Sequence, residues 1–171
     1  MKLCTNKMPG FFLGARFGAG FYSYHNELCD FFDLKRVYIL KGALGTGKST
    51  FMRSIAYALM EKGHDIEVIY SSFEPDEIDA VIAQGLKVGI IDGSFPHLMD
   101  PRYPGALESI INFGEFWEDE KIKESRMEII EISDRLDCDL RCAGRYLSAA
   151  REVESDIFDI ISPIIQKERL Y

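Results

Sequence analysis

A chain of 171 residues with 47% hydrophobic and 28% charged side chains has enough apolar material for a packed core, and fits one domain or one domain with an appendage. Its net charge of −8 argues against a general nucleic-acid or anionic-membrane binder, because affinity for phosphate backbones is mostly neutralisation by cations. No stretch approaches a membrane span, and the apolar run Phe11-Phe12-Leu13 is cut by Gly14 and Arg16 far short of a signal sequence, so a cytoplasmic location is expected.

The four cysteines, Cys4, Cys29, Cys138 and Cys142, form no C-x-x-C pair. Cys138 and Cys142 are spaced i,i+4 on an expected helix, where they could help hold a metal. Reduced thiols partly buried on a helix face are the simpler reading.

In chain order, Pro9 to Arg16 reads as a short strand, after which Gly18 and Gly20 loosen the backbone. Phe21 to Phe32 is rich in aromatics and reads as helical after a turn. Arg36-Val-Tyr-Ile-Leu-Lys41 is a β-branched and aromatic run expected to form a buried strand. The stretch that follows, Gly42-Ala43-Leu44-Gly45-Thr46-Gly47-Lys48-Ser49-Thr50, satisfies G-x-x-x-x-G-K-[ST]. Phe51, Met52, Ile55 and Leu59 then recur at helical spacing, and Gly63 supplies a stop. Strand, glycine loop and helix in this order make an anion site. Glycines let amide groups curl inward and the helix adds the positive end of its dipole. Lys48 is expected to neutralise the β- and γ-phosphates of a nucleoside triphosphate, and the Ser49 hydroxyl to hold Mg²⁺.

Ile66 to Tyr70 is a second strand. The acidic stretch Ser71 to Asp79 is expected to pass into a short helix through Val81 and Ile82. Glu74, Asp76, Glu77 and Asp79 are candidates for positioning water or metal, Asp76 being taken with Lys48, Asp92 and His97 as the catalytic set. Val88 to Asp92 is a third strand, whose terminal carboxylate would complete the Mg²⁺ site begun by Ser49. No Glu follows Asp92, which argues against a vigorous ATPase. Gly93 to Gly105 holds three prolines and reads as an ordered, non-regular loop, in which His97 could orient water and Arg102 could stabilise transferring charge.

From Glu115 the composition changes. Glu118 to Asp137 is strongly charged. Cys142, Ala143, Tyr146, Leu147, Ala150, Val153, Ile157 and Ile160 form one helical stripe. Two antiparallel helices, or one helix broken near Asp137-Cys138-Asp139, are expected, with the stripe buried against a partner helix or the domain and Pro163 ending or kinking the last turn. The expected fold is an α/β P-loop NTPase sandwich of three layers with a short, mostly parallel sheet. Residues 1–114 would form the nucleotide-binding core and 115–171 an appended helical hairpin. With only three or four strands in view, an uncovered sheet edge points to a homodimer or a larger P-loop assembly.

Taken together, Gly20-Phe-Tyr-Ser23, the loop from Lys41 to Thr50, Glu74-Pro-Asp-Glu-Ile-Asp79, Asp92-Gly-Ser-Phe-Pro-His97, Asp100-Pro-Arg-Tyr-Pro-Gly-Ala106 and Arg145-Tyr-Leu-Ser-Ala-Ala150 carry a family likeness. The sequence resembles a bacterial family of P-loop ATPases whose typical members hold two tandem copies of such a domain, of which this chain resembles one. The resemblance implies ATP and Mg²⁺ at Gly47, Lys48, Ser49 and Thr50 with Asp92 as metal partner, and implies no substrate. A slow ATPase or nucleotide switch is the leading expectation. Ile90-Ile-Asp-Gly93 with Pro96 also resembles the strand end of nucleoside monophosphate kinases, although His97 stands where those enzymes place an arginine. Arg141, Arg145 and Arg151 would then serve as lid residues. A nucleotide-dependent interaction module without turnover is the third reading.

Overall fold

The computed structural model describes residues 8–18, 20–74 and 76–163. It divides into two compact units, one formed by Met1–Ala15 and Tyr22–Glu118, the other by Arg16–Phe21 and Asp119–Tyr171.

The first unit is built on strand β4 (Arg36–Lys41), in which Val37, Ile39 and Leu40 are fully buried. An apolar run of this kind is what a strand covered on both faces requires. Strands β7 (Val88–Asp92) and β8 (Glu108–Asn112) flank it in parallel, with Leu40 opposite Asp92 in one register and Ile111 in the other. Beyond β7 come β6 (Ile78–Ala83), β5 (Ile66–Tyr70) and β1 (Gly10–Phe12), completing a six-stranded sheet in the order β1-β5-β6-β7-β4-β8. All neighbours are parallel except β6, which runs against both β5 and β7. Its first residues therefore lie beside its neighbours' last ones, Ile78 opposite Tyr70 and Ala80 opposite Ile91.

Two apolar clusters cover the sheet. Met52 and Ala56 of helix α2 (Lys48–Glu61) pack with Leu40, Val68 and Val81. Leu28, from the short helix α1 (Leu28–Phe31), packs with Val37, Ile39, Ile82 and Ile91. This is a mostly parallel α/β arrangement.

Several expectations are corrected. Val81 and Ile82 lie on strand β6 and not on a helix. All six residues of β6 are buried, and β-branched side chains suit a strand packed on both faces. Residues 9–16 form two strands, β1 and the start of β2 (Gly14–Phe17), divided at Leu13. The aromatic stretch 21–32 opens as strand β3 (Gly20–Ser23), which pairs with β2, before one 3₁₀ turn and α1. Strand β8 has no counterpart in the sequence reading, because its apolar signal is the brief Ile110-Ile111.

In the second unit the expected hairpin is absent. A short helix α3 (Asp119–Glu124) precedes one continuous helix, α4 (Arg126–Ile161), of 36 residues. Asp137-Cys138-Asp139 contains neither Gly nor Pro, and nothing there interrupts the i→i−4 ladder. The helix closes just before Pro163, as a proline requires of its predecessors. The stripe expected to be buried is largely exposed among the described residues, including Tyr146, Val153, Ile157 and Ile160. Among the described residues of this unit there is no second long helix to cover it. Gly144 is the one buried residue of α4, and it lies against Gly18 at the tip of the β2–β3 hairpin. A Cβ on Gly18 would stand 2.0 Å from Ser148 Oγ, so only glycine permits this approach. Arg16 adds a hydrogen bond to the Leu140 carbonyl at 3.4 Å. No helix among the described residues is long and apolar enough to cross a membrane.

Candidate functional site

Between β4 and α2 the chain reverses through Gly42 to Gly47. Gly45 and Gly47 hold left-handed backbone at φ 77° and 85°, and Gly47 is the N-cap of α2. Space is open around both, so it is backbone conformation and not crowding that demands glycine here. Lys48 opens the helix and is 5% exposed, although it carries a charge. Its Nζ donates to the carbonyls of Gly42 at 3.0 Å and Ala43 at 2.8 Å, and lies 3.5 Å from Asp92 Oδ2. Isolated burial of an ammonium would cost several kcal/mol, and these partners offset it. Thr46 Oγ1 donates to the Ala43 carbonyl at 2.8 Å and tightens the turn.

Asp92 ends β7 beside this loop. Burial raises its carboxyl above the usual range, while the Ser94 amide and the Lys48 ammonium act against that shift. Its Oδ1 accepts from the Ser94 N–H at 2.8 Å, and the Ser94 hydroxyl in turn accepts from the Gly42 N–H at 3.1 Å. Ser49 Oγ accepts from the Ile78 N–H at 3.1 Å, tying the start of α2 to the start of β6.

These groups open on a cavity of about 290 Å³. The loop from Leu44 to Thr50 forms one wall, and Ser71, Phe73, Glu74, Glu77, Asp79, Asp92, Phe95 and His97 line the remainder. Phe73 and Phe95 meet edge to face, with ring centroids 5.6 Å apart. Of the residues singled out by sequence, Leu44 to Thr50, Glu74, Glu77, Asp79, Asp92 and His97 line this cavity; Gly42 and Ala43 supply the carbonyl partners of Lys48. Asp76 does not line it. It sits exposed at φ 65°, and its carbonyl accepts from Arg53. Arg102 also lies elsewhere, with its guanidinium 5.4 Å from the Tyr103 ring. Arg141, Arg145 and Arg151 belong to the second unit.

A cluster that the sequence reading did not anticipate lies at the inner end of this wall. Ser23 Oγ bridges His25 Nδ1 at 2.7 Å and His97 Nδ1 at 2.9 Å, and the two imidazoles lie with centroids 3.6 Å apart, tilted by 34°. Asp79 Oδ2 lies 2.7 Å from His97 Nε2 and 3.8 Å from His25 Nε2. All three ligand-bearing residues are buried. Burial, with the neighbouring His97, lowers the His25 pKa from 6.5 to about 4 against the pull of Asp79, so the ring is neutral at physiological pH. His25 and Ser23 were missed because only folding brings β3 to β6 and to the loop after β7. The Gly20-Phe-Tyr-Ser23 stretch stood out in the sequence without suggesting a role.

Compared with protein-family models, curated proteins and solved structures, the chain matches none.

Proposed function

We propose that the first unit is a P-loop domain that binds ATP with Mg²⁺ and works as a slow ATPase or nucleotide switch. The observation that carries this reading is the buried Lys48 ammonium. It is held by the Gly42 and Ala43 carbonyls and by Asp92 at the end of a cavity walled by a left-handed glycine loop. A cation enclosed this way, beside the N-terminus of a 14-residue helix, is arranged to receive a polyanion. The residues fit the ligand: loop amides and Lys48 would take the phosphates, and Ser49 and Asp92 would take the ion. Bound Mg²⁺ supplies charge neutralisation across the phosphate oxygens. His97 is already engaged by Ser23 and Asp79, so positioning of water falls to Glu74 and Glu77, which line the cavity. Likeness to the tandem P-loop ATPases supports ATP as the nucleotide, and a single domain of that kind would pair with a second copy or a larger assembly.

One observation favours phosphotransfer as the second reading. Phe73 and Phe95 place an aromatic corner in the cavity lining, which suits a planar or apolar acceptor.

A thermal-shift panel of ATP, GTP, ADP and AMP with and without Mg²⁺, followed by phosphate release with and without candidate acceptors, tests both readings. Stabilisation by triphosphate with Mg²⁺ and acceptor-free release is the expected result. No stabilisation by any nucleotide would remove both.

A further inference from the structure

The contacts around Ser23 set up a second site. His97 Nε2 lies 2.7 Å from Asp79 Oδ2, and Ser23 Oγ joins His97 Nδ1 and His25 Nδ1 at 2.9 and 2.7 Å. His25 Nε2 is the one ring nitrogen of the two histidines left over. It is buried without a hydrogen-bond partner, on a residue 1% exposed, and it faces a carboxylate oxygen 3.8 Å away. A buried ring nitrogen left without a partner beside a carboxylate oxygen is unfavourable. A cation between them converts both into ligands.

We propose that His25 Nε2, Asp79 Oδ2 and His97 Nε2 form a binding site for a borderline divalent transition ion of the Zn²⁺ or Co²⁺ class. One ligand atom from each of the three residues lies within 4.8 Å of the others. Bonds of about 2.0–2.2 Å to such an ion place tetrahedral neighbours roughly 3.3 Å apart. The 2.7 Å His97–Asp79 contact then opens and the 3.8 Å His25–Asp79 gap closes, each by about half an ångström. His97 ligates through Nε2 in the tautomer that carries its proton on Nδ1, where Ser23 Oγ is within hydrogen-bond distance. A hydroxyl fixing two ligand imidazoles is the outer-shell support that metal histidines use. Two nitrogens and one oxygen select against Mg²⁺ and Ca²⁺, which take oxygen ligands. Asp79 and His97 also line the cavity, so open coordination positions face it. The site does not depend on the nucleotide reading.

Chelator-treated protein titrated with Co²⁺ and Zn²⁺, without nucleotide, tests it. One ion per chain is expected, with a Co²⁺ visible band that Zn²⁺ removes and excess Mg²⁺ does not. Zinc-edge X-ray absorption on the wild-type chain should show two imidazoles with oxygen and no sulfur. His25→Gln and Asp79→Asn should weaken binding at least tenfold, while His64→Ala, the one histidine outside the cluster, should leave it unchanged. Absence of stoichiometric binding, a single-imidazole spectrum, or sulfur ligation from Cys138 and Cys142 would overturn the assignment without requiring any variant to fold.

Discussion

Lys48 Nζ and Asp92 Oδ2 stand 3.5 Å apart, with the lysine side chain 5% and the aspartate side chain 19% exposed. Burying such a pair is rarely a net source of stability, but removing one member strands the other. Lys48→Met and Asp92→Asn should therefore act non-additively. Urea unfolding of the two single variants and the double variant should show the double losing clearly less than the sum, with a coupling of about 1–3 kcal/mol. Under the nucleotide reading, Lys48→Met should also lose the thermal shift given by ATP, and an unchanged shift would contradict that reading.

Gly47 at φ 85° and Gly85, which has no positive φ, offer a paired test of backbone strain, because an added methyl group meets nothing within 4 Å at either. Gly47→Ala should cost about 1–2 kcal/mol of stability through the left-handed conformation alone. Gly85→Ala should be neutral or slightly stabilising, since it only restricts the unfolded chain. Equal effects in chemical denaturation would contradict the conformational account of the loop.

The central position of β6 predicts a steep cost for cavities there. Ile82 is fully buried, whereas Ile110 on β8 is 52% exposed. Ile82→Ala should lose about 2–5 kcal/mol in equilibrium unfolding. Ile110→Ala should lose less than about 1 kcal/mol, because much of its surface stays in water in both states.

Cysteine reactivity provides a check by pH. Burial raises the Cys29 thiol above its usual value, with Glu108 and Asp30 adding to the effect, whereas Cys138 is exposed. A raised pKa means less thiolate at a given pH, so iodoacetamide should label Cys138 well before Cys29 at pH near 8. The Cys29 rate should keep climbing with pH beyond the ordinary thiol range. Peptide mapping by mass spectrometry reads both rates, and faster labelling of Cys29 would contradict its burial.

Strands β4, β5 and β7 were legible in the sequence to the residue, since each is a short β-branched run closed by a turn signal. The glycine loop was equally plain, because few other functions need that spacing. Helical periodicity misled at Val81 and Ile82, where a strand buried on both faces shows no alternation. Charge density misled near residue 137, since it was read as a break although nothing there interrupts a helix. The buried histidine cluster was invisible for another reason. Its members lie on β3, the 3₁₀ turn after it, β6 and the loop after β7, 74 residues separating Ser23 from His97, and no local pattern encodes that meeting.

The reversed strand β6 has a consequence for how the chain tolerates change. Asp79 is its second residue, and the pairing with β5 skips it, Ile69 lying opposite Ala80 and Tyr70 opposite Ile78. A slip of β6 by one residue would turn the carboxylate to the opposite side of the sheet. Any change that shifts this register should therefore damage the contact with His97 as much as replacing the aspartate itself.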